Sequence, residues 1–137
     1  MKSADRTICV AIAVIVRDGR ILICQRPANT TLGGLWEFPG GKIEAGETPE
    51  ECLARELKEE LNIEVLVGEF CTEVTHAYGN KHINLKAYYC TIVGGEIKVS
   101  VHDKYKWVRL MDLLGYDLLP ADVPIARKVM EDHGEGL

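Results

Sequence analysis

Residues 41–63 read GKIEAGETPEECLARELKEELNI, and the run RELKEE (55–60) inside them poses an electrostatic problem. In a helix, Glu56, Glu59 and Glu60 stand at i, i+3 and i+4, so three carboxylates share one face. Like charges at these spacings oppose the helix by roughly 0.2–0.5 kcal/mol per pair. The surrounding residues nevertheless specify a helix firmly. EAGE (44–47) is a turn, Thr48 offers an N-cap, Pro49 suits the first helical position, and Glu51 completes a T-x-x-E capping box. Leu53, Leu57 and Leu61 form an apolar stripe with Ala54 beside it. Asn62 then stands at C′, where a left-handed backbone favours Gly first and Asn second.

A crowded acidic face has two readings. One is a solvated surface with partial pairing, such as Glu51 with Arg55 at i, i+4. The other is a cation site, and the flanking sequence favours it. PGGK (39–42) brings backbone that can approach a ligand closely, while Glu44 and Glu47 add negative charge. Hard oxygen donors at this density suit Mg²⁺ or Mn²⁺, which take carboxylates, carbonyls, water and phosphate oxygens.

Upstream, ICVAIAVIV (8–16) is a β-branched strand ending in the tight-turn pair Asp18-Gly19, with ILICQR (21–26) as its antiparallel partner. PANTTLGG (27–34) is loop, and LWEF (35–38) is a short strand stopped by Pro39-Gly40-Gly41. Downstream, residues 63–78, 84–93 and 96–101 pattern as strands, with a hairpin turn at Gly94-Gly95. A last short strand spans 107–110, and a C-terminal helix follows Pro120 and ends near Gly134. The expected fold is α+β, a mixed sheet flanked by two helices as an α/β/α sandwich, in one domain over residues 1–137.

The stretch 41–63 resembles the Nudix box, G-x5-E-x7-R-E-U-x-E-E-x-G-U, where U is bulky and apolar. Gly41, Glu47, Arg55, Glu56, Leu57, Glu59, Glu60 and Ile63 match, and Asn62 replaces a Gly. LWEFPGGK (35–42) and LLPADVPIARKV (118–129) are similar to the MutT branch, which hydrolyses oxidised nucleoside triphosphates.

The resemblance implies that Glu56, Glu59 and Glu60, with the Gly40 carbonyl, bind Mg²⁺ or Mn²⁺, and that Glu47 and Arg55 form a supporting salt bridge. It implies phosphate contacts for Arg26 and Lys42, and a substrate-facing role for Glu37, Phe38, Pro39 and Gly40. Thr31, Phe38 and Tyr78 would wall a base pocket, and Asp122 would either meet the base edge or cap the last helix. Family members carry a further carboxylate just upstream of the Trp strand. Val101 stands there instead, followed by His102 and Asp103, so the general base is open among Glu56, Glu59 and Asp103, with His102 read as a surface or hydrogen-bonded residue. Trp36 and Trp107 are expected in the core.

The chain has 137 residues, 47% hydrophobic and 27% charged, the composition of one globular domain. A net charge of −5 gives no global field for long nucleic acid, so a phosphorylated small molecule needs local Lys, Arg or metal. Five scattered cysteines without a C-x-x-C pair imply buried free thiols in a reducing cytoplasm. The longest apolar run is too short to span a bilayer, so no membrane partner is expected. The expected protein is a cytoplasmic monomer or homodimer that splits 8-oxo-dGTP into monophosphate and pyrophosphate. CTP or modified dCTP is the alternative substrate, and a non-catalytic reader of oxidised bases is the alternative of another class.

Overall fold

A computed structural model describes residues 6–134, apart from the side chains of Arg6 and Tyr78. The strands are β1 (Arg6–Arg17), β2 (Arg20–Gln25), β3 (Trp36–Glu37), β4 (Gly40–Lys42), β5 (Ile63–Tyr78), β6 (Lys81–Gly95) and β7 (Lys104–Arg109). Two α-helices, α1 (Pro49–Leu61) and α2 (Val123–Asp132), accompany them. The sheet runs β3-β2-β1-β6-β5, with β4 also on β1 and β7 also on β2. It is mixed, because β1 and β6 are parallel from Arg6↔Lys81 to Ile15↔Cys90.

The period-2 alternation of the strands separates two cores. Ala11, Ala13 and Ile15 of β1 and Leu22 and Cys24 of β2 pack with Leu53, Leu57 and Leu61 of α1. Ile12 and Val14, with Ile21 and Ile23, face the other way and pack with Ile125, Ala126 and Val129 of α2. The α/β/α sandwich follows from that alternation. Trp36 is buried on the α2 side, and Trp107 packs half-buried on the α1 side under the Arg17 guanidinium, 4.7 Å from the ring centroid.

Helix α1 begins as its sequence specifies. Glu51 N–H donates to Thr48 Oγ1 (3.1 Å), and Thr48 N–H donates to Glu51 Oε1 (2.9 Å). Glu51 therefore caps the helix and does not pair with Arg55. Cys52 completes the buried stripe, while Ala54 is exposed. Asn62 adopts φ 60°, ψ 33°.

Three expectations about the strands change. Residues 40–42, read as a strand stop, pair with β1 as β4 (Ile12↔Gly40, Val10↔Lys42). Gly94 and Gly95 form no hairpin but extend β6 against Glu64 and Ile63, and the hairpin lies at Gly79-Asn80. Residues 96–101 are not a strand. Lys98 N–H donates to Leu61 C=O (2.9 Å) and Ser100 N–H to Glu60 C=O (3.1 Å), so this segment satisfies carbonyls at the end of α1 in place of a sheet ladder.

Asn62 takes part in that docking, since its Nδ2 donates to Glu96 C=O at 3.1 Å. A Gly at 62 would relieve the left-handed backbone but lose this bond, two effects of similar size. Asn62→Gly is expected to leave the unfolding free energy within about 1 kcal/mol of the parent in denaturant titration.

Candidate active site

The docked segment 96–103, β4 and the loop after β2 enclose a cavity of about 370 Å³. Its wall includes Arg26 and Thr30 from the loop region, Glu37 and Phe38 from β3 and its end, Gly40, Gly41 and Lys42 from β4, Glu60 from α1, and Val101 and His102. Cys52, Glu56 and Glu60 follow each other at i, i+4 and i+8, along the edge of α1 that runs beneath β4. Gly41 sits directly over that edge: a Cβ there would lie 2.3 Å from Glu56 Cδ, so only glycine lets strand and carboxylate approach. Cys52 Sγ lies 3.4 Å and 3.3 Å from the Gly41 and Lys42 carbonyls. Burial pushes its thiol up to about 11, so it is a packing group and not a nucleophile at neutral pH.

Arg55 organises the acidic face. Its Nε and Nη2 take both oxygens of Glu47 (2.7 and 2.9 Å), its Nη1 reaches Glu56 (2.9 Å) and Glu59 (3.5 Å), and Nη2 also meets the Lys42 carbonyl (3.2 Å). The Arg55 guanidinium holds the Glu47 carboxyl down to about 2, with the Glu44 amide assisting. Glu60 moves the opposite way. Burial, a hydrogen bond with Glu56 and the charges of Glu56, Glu37 and Glu59 push it up to about 8. Two carboxyls in hydrogen-bond contact at the cavity floor need either a proton or a cation between them.

Among the described residues no three acidic, imidazole or thiol groups are arranged to hold a metal ion. Glu56 turns toward Arg55, and Glu59 points largely to solvent, its side chain 62% exposed. The donor chemistry still fits a hard divalent cation: clustered carboxylates, one raised by burial and by its acidic neighbours, beneath a glycine-lined strand.

The substrate-side expectations divide. Arg26 lines the cavity, but its guanidinium is committed to the Thr31 carbonyl (Nε 3.0 Å, Nη2 2.9 Å) and to Glu37 Oε1 (3.4 Å). Lys42 lines the cavity with no ion pair among the described residues, which leaves it the more available cation. Thr31 is exposed and contributes its carbonyl, while Thr30 lines the wall. Pro39 is buried and accepts from Ala13 N–H (2.9 Å), so it sets the position of the turn. The Tyr78 side chain lies outside the described residues.

Asp122 precedes α2 but makes no capping bond with its side chain. It is 3% exposed, and its Oδ2 accepts from Phe38 N–H across the core at 2.9 Å. Burial pushes its carboxyl up to about 7. Asp103 is also committed, accepting from Ala28 N–H (3.3 Å).

His102 is hydrogen-bonded, one of the two readings its sequence allowed, and it is buried, not at the surface. Its side chain is 4% exposed and its Nε2 stands 2.8 Å from Glu37 Oε2. Its Nδ1 is buried without a hydrogen-bond partner among the described residues. No local pattern in SVHD signals this, because the partner lies in another strand.

The NUDIX domain profile matches residues 10–128. The CTP pyrophosphohydrolase of Escherichia coli is 40% identical over 121 residues, 88% of this chain and 90% of that protein. The 8-oxo-dGTP diphosphatase of the same organism is 31% identical over 88% of this chain and 94% of its own. Among solved structures, the E. coli ORF135 protein superposes with a TM-score of 0.83 at 38% identity, covering 92% of this chain and 90% of that one. The MutT protein of Methanosarcina mazei Go1 gives 0.84 at 28% identity, covering 96% and 99%. With the box residues on α1 and the fold shared throughout, the chain belongs to the Nudix family as a hydrolase of phosphoric anhydride bonds.

Proposed function

We propose that the protein is a divalent-metal-dependent nucleoside triphosphate diphosphatase that cleanses the nucleotide pool, converting 8-oxo-dGTP to the monophosphate and pyrophosphate. One observation carries this reading: Glu60, Lys42 and Arg26 meet in a single cavity above the box helix, an acidic floor with basic walls, sized for a polyphosphate. Glu56, Glu59, Glu60 and the Gly40 carbonyl are the residues that would hold the cation, which would neutralise the triphosphate and acidify a bound water. Lys42 contacts phosphate, and Arg26 holds the 27–34 loop through the Thr31 carbonyl. Water attacks the β-phosphorus in line, and the nucleoside monophosphate leaves.

Asp122 stands behind the cavity wall, joined to it through Phe38 N–H, and is proposed as the group that sets the base preference toward the oxidised purine. A carboxyl raised to about 7 carries a proton in part of the population near neutrality, so it both donates and accepts. That dual character matches an O6 acceptor beside an N7–H donor. The 40% identical CTP pyrophosphohydrolase supports a second reading, in which ionised Asp122 accepts from the N4 amine of cytosine.

Pyrophosphate release with Mg²⁺ over 8-oxo-dGTP, dGTP, CTP, dCTP and 5-methyl-dCTP tests both readings. Asp122→Asn keeps an acceptor for Phe38 N–H but loses the titratable proton. It is expected to change the ratio of kcat/KM between oxo- and amino-bearing bases by about tenfold, near 1.4 kcal/mol. An unchanged ranking would reduce Asp122 to a brace for the Phe38 backbone.

A further inference from the structure

Val101 and His102 stand side by side in the cavity wall, and the valine offers no proton acceptor. The carboxylates nearby point elsewhere. Glu56 is paired with Arg55, Glu59 faces largely solvent, Asp103 holds Ala28 N–H, and Glu60 shares a hydrogen bond with Glu56. What remains is the imidazole of His102, which lines the cavity and is tied to Glu37 at 2.8 Å. Glu37 also accepts from Arg26 Nη1 on its other oxygen at 3.4 Å. A carboxylate that accepts on both oxygens leaves the shared hydrogen on His102 Nε2, the tautomer whose lone pair is on Nδ1. That atom is buried and has no hydrogen-bond partner among the described residues, an arrangement that folded proteins rarely keep.

We infer that His102, aligned by Glu37, is the proton acceptor for the attacking water. The inference rests on the diphosphatase reading. As the water oxygen bonds to the β-phosphorus, one water proton passes to His102 Nδ1. The bridging bond from the β-phosphorus to oxygen breaks, and its electron pair leaves with the nucleoside monophosphate. The imidazolium then returns its proton to solvent. Glu37 is a positioning residue that sets the tautomer and steadies the imidazolium. The charged groups that share the cavity with the ring are Arg26 at the end of β2, Glu37 on β3, Lys42 on β4 and Glu60 on α1. Contacts of this kind tighten when substrate binds.

The test compares wild type and His102→Gln with 8-oxo-dGTP and with CTP in saturating Mg²⁺. The Gln amide can still donate to Glu37 but cannot take up a proton. Its kcat is expected to fall about 10²-fold, with KM moving less than about threefold. His102→Ala should regain rate when imidazole is added. A second readout uses the metal-free protein: ¹⁵N NMR of the wild type should show an Nε2–H tautomer with unprotonated Nδ1, and Glu37→Gln should erase that preference. Wild-type kcat in His102→Gln, a loss confined to KM, or an Nδ1–H tautomer would each overturn the inference. If His102→Gln fails to fold, the NMR result decides. An inactive wild type would instead remove the diphosphatase reading, and this inference with it.

Discussion

Glu60→Gln is expected to lower kcat by about 10³-fold while leaving the metal-free fold intact. Glu60 lies at the cavity floor against Glu56, within the fields of Glu37 and Glu59. Its carboxyl is raised from 4.5 to about 8, with burial the largest cause. A group raised in the folded state contributes stability that is fully present below its unfolded value and is lost as pH climbs through the folded one. The metal-free wild type should therefore lose stability between about pH 4.5 and about pH 8. Asp122, raised from 3.8 to about 7, adds a contribution of the same sign. Glu60→Gln removes the first contribution, so its stability curve should be flatter and should lie above wild type near pH 8. Denaturant titration in a chelator, paired with pyrophosphate release in Mg²⁺, measures both effects. An active variant, or one that unfolds near pH 8, would count against Glu60 as a cation ligand.

Arg55→Lys is expected to reduce kcat/KM about 10²-fold, because small misplacements of a catalytic carboxylate carry penalties of that order. Arg55 makes a two-pronged pair with Glu47 and also reaches Glu56, Glu59 and the Lys42 carbonyl. A lysine ammonium is a point charge and cannot reproduce that fork. The same variant should change acid behaviour. Glu47, lowered from 4.5 to about 2, contributes stability above its unfolded value that is lost as pH falls through about 2. In Arg55→Lys that loss should begin at higher pH. Unfolding followed by circular dichroism from about pH 5 downward checks this, and an unchanged acid midpoint would separate Glu47 from Arg55 energetically.

The residues that the chain's local pattern described well are those whose partners lie within one or two helical turns. The Thr48–Glu51 box, Pro49, the leucine stripe and left-handed Asn62 all depend on contacts at i+3 or i+4. The unbroken apolar run of β1 suits a strand buried on both faces, and the two cores cover it from either side. The run 96–101 was misleading for a definite reason. Its alternating apolar residues suit a strand, but the unsatisfied carbonyls of Glu60 and Leu61 compete for its amides and win. Ile97 and Val99 consequently pack beside α1.

Assignments within the cavity depended on partners far along the chain. Phe38 and Asp122 are 84 residues apart, and Glu37 and His102 are 65 apart. Such pairs leave no periodic trace, since a hydrogen bond between distant segments constrains neither neighbour in sequence. Arg26 reads as a phosphate ligand until the fold delivers the Thr31 carbonyl and Glu37 to it. Chain chemistry alone was enough for the box helix and its acidic face, because spacing along one helix already dictates which charges meet, while the hydrolase class came from the resemblance of 41–63 to the Nudix box. The partners of Asp122 and His102, and the lack of an ion pair at Lys42 among the described residues, came from packing, because burial and long-range pairing decide which polar groups are still unoccupied when substrate arrives.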